Sequence, residues 1–273
     1  MTERSVERDG VRLAAEEDGA GEGTPIVLLH GLTATRRYVV MGSKALQRGG
    51  RRVISYDARG HGQSGRAPAP DAYGYDELAL DLLEVLDAFG VSRAVLAGAS
   101  MGAHTLLRLA LAAPERVAGV VVVTPAFDPG AASDYARWDA LAAGLRAGGV
   151  EGFVEAYQVE DEVPEGWRDT VRTVLRQRMG QHADLAAVAD ALQATPRSRP
   201  FESLAELGAV AVPAVVVASR DEADPGHPLA VGEAYAAAIP GARLVVEEAG
   251  RSPLAWQGGQ LSRVIAQLAE ETA

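Results

Sequence analysis

The pentapeptide Gly98-Ala99-Ser100-Met101-Gly102 constrains this chain more than any other stretch. It joins a short apolar run at 94–97 to a helical pattern at 103–113. A strand that turns directly into a helix forces the corner residue into strained backbone geometry. The two elements come that close only where the flanking positions lack side chains, as Gly98 and Gly102 do. Such a corner presents the Ser100 hydroxyl at the end of a sheet, with a helix N-terminus behind it that favours negative charge. This is the pattern of a nucleophile elbow. Thirty glycines among 273 residues would make the pentapeptide alone a weak signal. The strand before it and the helix after it set this one apart from chance.

Around the elbow, short apolar runs alternate with amphipathic patterns. Strands are expected at 25–29, 52–56, 94–97, 117–124, 212–218 and 243–247. Several are valine-rich without polar alternation, as strands buried on both faces of a parallel sheet must be. Helices are expected at 76–89, 101–113, 230–239 and 259–271, bounded by Gly90, Pro114 and Pro240-Gly241. The alternation reads as an α/β fold with a mostly parallel, doubly wound sheet. Residues 5–16, with Asp9-Gly10 inside, read as a β-hairpin at the sheet edge. Between 127 and 207 the rhythm breaks: no strand pattern appears, and helical patterns run at 135–147, 150–158, 167–179 and 185–194. The expected organisation is a core of residues 1–128 and 207–273 with a helical cap, or lid, at 129–206 over the sheet's carboxyl edge.

Composition excludes several functions. The net charge is −11, unsuited to nucleic acid or an anionic membrane surface. There is no cysteine, hence no thiolate nucleophile and no cysteine metal site. The start of the chain lacks the apolar core of a signal peptide and no run reaches a membrane span, so the expected location is cytoplasmic. No phosphate-binding glycine loop follows the first strand and no histidine pair has metal-ligand spacing on a helix face. The expected partner is a small-molecule substrate, with no cofactor or metal, and the chain is compatible with a homodimer. Of 26 basic residues only Lys44 is a lysine, which we read as codon bias.

Four motifs occur in order: His30-Gly31-Leu32-Thr33 after the first long strand, Tyr56-Asp57-Ala58-Arg59-Gly60-His61-Gly62-Gln63-Ser64-Gly65 after the next, the elbow after the third, and Asp221 after the valine-rich strand ending at 218. In this series the chain resembles the α/β-hydrolase superfamily, in particular its esterase, lactonase and haloperoxidase-like branch, over nearly its full length. The resemblance implies a serine hydrolase acting on a small carboxylic ester, lactone or thioester. Ser100 would be the nucleophile. An oxyanion hole needs two backbone N–H groups, from Met101 after the nucleophile and, by the resemblance, from Leu32. His30 would hold the Leu32 loop beside the substrate. Asp221 occupies the family's acid position, with Asp224 and Asp128 as alternatives. His61 reads as structural, His104 as lying beneath the site, and His182 as solvated.

The pattern departs from the family at its histidine. The loop after the last strand reads Glu248-Ala249-Gly250-Arg251-Ser252, and Arg251 stands where the histidine belongs. Arginine stays protonated and cannot be a general base. Two readings follow. In one, His227, six residues beyond Asp221 on the same carboxyl-edge loop, is the base. In the other, the triad is degraded: Arg251 pairs with Asp221 or recruits a carboxylate ligand, and the pocket binds a carbonyl compound or supports a different reaction.

Overall fold

The computed structural model describes residues 1–221, 223–248 and 257–272. An eight-stranded sheet runs in the order β1-β2-β4-β3-β5-β6-β7-β8. Its strands are β1 Thr2–Arg8, β2 Val11–Asp18, β3 Ile26–Leu29, β4 Val53–Tyr56, β5 Ala94–Ala99, β6 Val117–Val123, β7 Ala214–Ala218 and β8 Arg243–Val246. From β4 across to β8 every pairing is parallel. β1 and β2 form the expected edge hairpin, antiparallel to each other and to β4. Its turn puts Asp9 and Gly10 at positive φ, 49° and 76°, the geometry that makes two-residue turns fit the strand twist.

The helices are α1 Ala45–Arg48, α2 Tyr75–Ala88, α3 Met101–Ala112, α4 Tyr135–Ala156, α5 Val159–Glu162, α6 Arg168–Met179, α7 Leu185–Ala194, α8 Leu229–Ala238 and α9 Gly258–Glu271. Leu82 and Leu86 of α2, Leu106 and Leu107 of α3 and Tyr235 of α8 cover one face of the sheet. Leu261, Ile265 and Leu268 of α9, a stripe at helical spacing, cover the other with Leu46 of α1. Both faces are therefore dry, which is why β6 reads Val-Ala-Gly-Val-Val-Val-Val and is buried at every position.

Helices α4 to α7 form the insert between β6 and β7, around a core of their own that includes Leu141, Phe153, Leu175, Val188 and Leu192. The two helical patterns expected at 135–147 and 150–158 are one continuous run broken at Gly149 (φ 59°, ψ −140°). A Cβ on Gly144 would sit 2.4 Å from Gly152 O, and one on Gly152 would meet Gly144 O as closely. The two halves thus fold back on each other at a contact that only glycine permits.

After β4 the chain makes a tight turn pinned by a buried ion pair. Arg59 donates to both oxygens of Asp81 on α2, from Nε and Nη2, at 2.7 Å each. Asp81 is 0% exposed and Arg59 1%. Arg8 adds a 3.0 Å contact to the same carboxylate.

Candidate functional site

The sheet order changes direction between β3 and β5, and the crevice at such a switch point is where open α/β sheets bind ligands. Ser100 sits at that point. Its φ of 50° and ψ of −113° make it a non-glycine residue in strained backbone between β5 and α3. The flanking glycines are required by contact. A Cβ on Gly98 would lie 2.4 Å from the carbonyl of Gly102, and one on Gly102 would overlap Leu29 O. Gly31 brings the loop after β3 alongside: its Cβ position is 3.3 Å from Ala99 O and 3.4 Å from Ser100 Cβ. The Ser100 hydroxyl makes no hydrogen bond among the described residues.

Two cavities meet at Ser100. The first, about 240 Å³, includes Met101, Tyr75, Phe127, Trp138 and Asp128 in its wall. The second, about 250 Å³, lies under the insert and is lined by Tyr157, Arg178, Asp221, Asp224 and His227 together with Ser100. Leu32 lines both. The structure therefore brings Ser100, Leu32, Asp221 and His227 to one cavity and Met101 to its neighbour. Arg251 lies outside the described residues.

All five histidines are described, and their hydrogen bonds separate them. His30 is buried; Ala58 N–H donates to its Nε2 at 2.9 Å, and its Nδ1–H donates to Gly31 O at 2.8 Å. That carbonyl belongs to the peptide whose N–H is Leu32's, so the ring holds the Leu32 loop from below and lines neither large cavity. His104 Nε2 accepts from Ala126 and Phe127 N–H at 3.2 Å, which leaves Nδ1–H to face Tyr75 Oη at 3.0 Å. Burial, with the nearby His227 charge adding to it, takes His104 down to about 3. It is neutral and fully engaged. His61 is 0% exposed, packed between the rings of His30 and His182 at 5.1 and 5.6 Å.

His182 departs from its expected solvation. It is buried, accepting from Gly62 N–H at 2.8 Å through Nδ1 and donating to Thr33 O at 3.0 Å through Nε2. It ties the insert to the loops that follow β3 and β4, a role set by partners far away in sequence.

His227 differs from the other four. It lines the second cavity, and its Nε2 makes no hydrogen bond among the described residues. Its Nδ1 is 2.8 Å from Asp224 Oδ2. The carboxylate behind His227 is thus Asp224. Asp221, expected there from the sequence, instead accepts from Ala223 N–H at 2.8 Å and shapes the turn. Burial alone would raise the Asp224 carboxyl; the His227 contact and the charges of Arg178 and Arg137 outweigh it and hold the group below its ordinary range. Asp128 binds Gly130 N–H at the first cavity. The loop of Asp224 and His227 is anchored by Glu247 at the end of β8, which accepts from Ser219 Oγ at 3.0 Å and from Arg220 N–H.

Sequence reasoning missed Arg178. Its signal was a charge on the inward stripe of α6, seven residues after Val171 and three after Leu175, both of which line the same cavity.

The buried histidines predict acid lability. Desolvation lowers His30, His61, His104 and His182, with His182 at about 4 and His104 at about 3. Each is neutral when folded and titrates near 6.5 when unfolded. Below 6.5 the unfolded chain binds more protons, so stability is full above that pH and falls between 6.5 and about 4. For His182 alone the loss at pH 5 is about 2 kcal/mol. Thermal melts should show a steep fall from pH 7 to 5, made shallower by His182→Gln, whose amide can both accept and donate. Equal slopes for the two proteins would exclude His182 as a contributor.

The family model described as alpha/beta hydrolase fold matches residues 24–257. The chain belongs to the α/β hydrolase family. It is 34% identical over 215 residues to "Putative carbamate hydrolase RutD" of Variovorax paradoxus (strain S110), a span of 76% of this chain and 77% of that one. Among solved structures, a hydrolase from Pseudomonas aeruginosa PA01 matches with a TM-score of 0.74 at 30% identity over 89% of both chains. A thermophilic esterase from Thermogutta terrifontis, solved with malate bound, matches with a TM-score of 0.80 at 25% identity, covering 100% of this chain and 99% of that one. In this α/β hydrolase no helix among the described residues is long and apolar enough to cross a membrane.

Proposed function

We propose that this α/β hydrolase is a serine hydrolase that cleaves a small carboxylic ester, lactone or thioester through an acyl-enzyme on Ser100. One observation carries the reading: two of the five histidines line a cavity with Ser100, and of these His104 is bonded at both nitrogens while His227 keeps Nε2 unbonded among the described residues, with a carboxylate at its other nitrogen. A serine hydroxyl needs such a base to act as a nucleophile at neutral pH. Ser100 Oγ attacks the carbonyl carbon and its proton passes to His227 Nε2. Asp224 fixes the ring by accepting from Nδ1–H and stabilises the imidazolium. The tetrahedral oxyanion is held by the N–H groups of Leu32 and Met101, at the positive end of α3. His227 then protonates the departing oxygen or sulfur, and water releases the acyl group by the reverse sequence. Residues 129–206 act as the cap over this site, and no cofactor takes part. The esterase and hydrolase names of the relatives support this chemistry.

The experiment is labelling with a fluorophosphonate probe, which needs an activated serine. Wild type should be labelled at Ser100, with no label in Ser100→Ala or His227→Ala. An unlabelled wild-type protein would favour the other reading, a pocket that binds a carbonyl or carboxylate compound without cleaving it.

A further inference from the structure

We propose that Arg178 selects substrates whose leaving portion carries a carboxylate, an inference that rests on the serine-hydrolase reading. Arg178 projects from α6 into the wall of the cavity shared by Ser100 and His227. Its Nη2 donates to Leu32 O at 3.1 Å and Thr33 Oγ1 at 2.8 Å, both neutral acceptors, and its Nε is buried with no partner. Among the described residues no carboxylate lies within ion-pair distance of it. The other charges on this wall are committed. Arg137 pairs with Glu162 at 2.5 Å, Asp224 with His227, and Asp221 holds the Ala223 N–H. A half-buried guanidinium whose hydrogen bonds go only to neutral groups keeps donors for an anion, and its planar fork matches a carboxylate.

The neighbouring cavity has the opposite character. It is lined by Tyr75, Phe127 and Trp138 and carries Asp128 and Asp134; its one histidine, His104, is neutral, and no arginine or lysine lines it among the described residues. An anion is repelled there and attracted beside Arg178. His227, which protonates the leaving group, stands on the Arg178 side. The neutral acyl part therefore occupies the first cavity and the carboxylated alcohol part the second.

The test compares para-acetoxybenzoate with its uncharged analogue para-acetoxybenzamide. Wild type should favour the anion in kcat/KM by at least about tenfold, the contribution of one charge-assisted contact. In Arg178→Gln the ratio should fall to near one, chiefly through KM, and Arg178→Lys should keep part of it. Arg178 also supports the Leu32 loop, but loss of that support slows both esters alike and leaves the ratio intact. An unchanged ratio in Arg178→Gln would overturn the proposal while leaving the hydrolase reading in place. Calorimetry gives a second check: para-acetoxybenzoate should bind Ser100→Ala about tenfold or more tightly than Ser100→Ala combined with Arg178→Gln, and equal binding would likewise overturn the proposal. The hydrolase reading stands or falls separately, on fluorophosphonate labelling of Ser100.

Discussion

Replacing His227 with alanine should lower kcat/KM for para-nitrophenyl butyrate by roughly 10³-fold or more, to the residual activity that an oxyanion hole and binding sustain without the base. Its backbone position, at the turn after β7, does not depend on the imidazole, so the protein should melt within a few degrees of wild type. Adding Ser100→Ala should lower the rate little further, because residues acting as a unit lose their effect together. Asp224→Asn should cost nearly as much as His227→Ala, since the amide disturbs the tautomer that Asp224 sets through its 2.8 Å contact. Asp221→Asn should stay within a few-fold of wild type, because the carboxylate on His227 Nδ1 is that of Asp224. A His227→Ala protein with near wild-type turnover would remove the proposed base, and with it the mechanism.

The largest stability effect should come from Asp81, far from the site. Replacing it with alanine strands Arg59, 1% exposed and bonded to both carboxylate oxygens at 2.7 Å. Breaking a buried pair from one side costs about 3–5 kcal/mol; Arg59 would keep only a bond to Ala72 O and a 3.4 Å contact to Glu77, both through Nη1. At ~2 °C per kcal/mol for a chain of this size, the melting temperature should drop by roughly 6–10 °C. Arg59→Met combined with Asp81→Leu should recover much of that loss, since an apolar pair leaves no uncompensated charge. Arg8 keeps its contact to Glu77 in that background. Calorimetry on the single and double variants decides the matter: additive losses would mean that the two side chains are not coupled.

What the sequence displayed was local. Glycines two residues either side of Ser100 announced the corner, since a Cβ at either would overlap backbone. Valine runs announced strands dry on both faces, and Asp9-Gly10 announced the edge hairpin. What it concealed depended on contacts between distant segments. His182 has ordinary polar neighbours in sequence, yet its bonds go to Gly62 and Thr33, 120 and 149 positions away. The choice between Asp221 and Asp224 turned on how the loop after β7 winds: Asp221 faces back onto Ala223, which leaves Asp224 facing His227. Arg178 carries no local signal beyond its place on a polar helix; what singles it out is that α6 faces the cavity.

Asp224 and His227 sit three residues apart on the single loop that follows β7. In the proposed mechanism this makes the proton-handling pair one rigid unit instead of two groups carried by separate strands. Strain between β7 and β8 cannot pull the carboxylate away from the imidazole, because both ride on the same few residues. One separation between elements is left for the fold to hold, from that loop to Ser100 at the head of α3. The Glu247 carboxylate, reaching across from the end of β8 to Ser219 and Arg220, sets the height of the loop and so that separation.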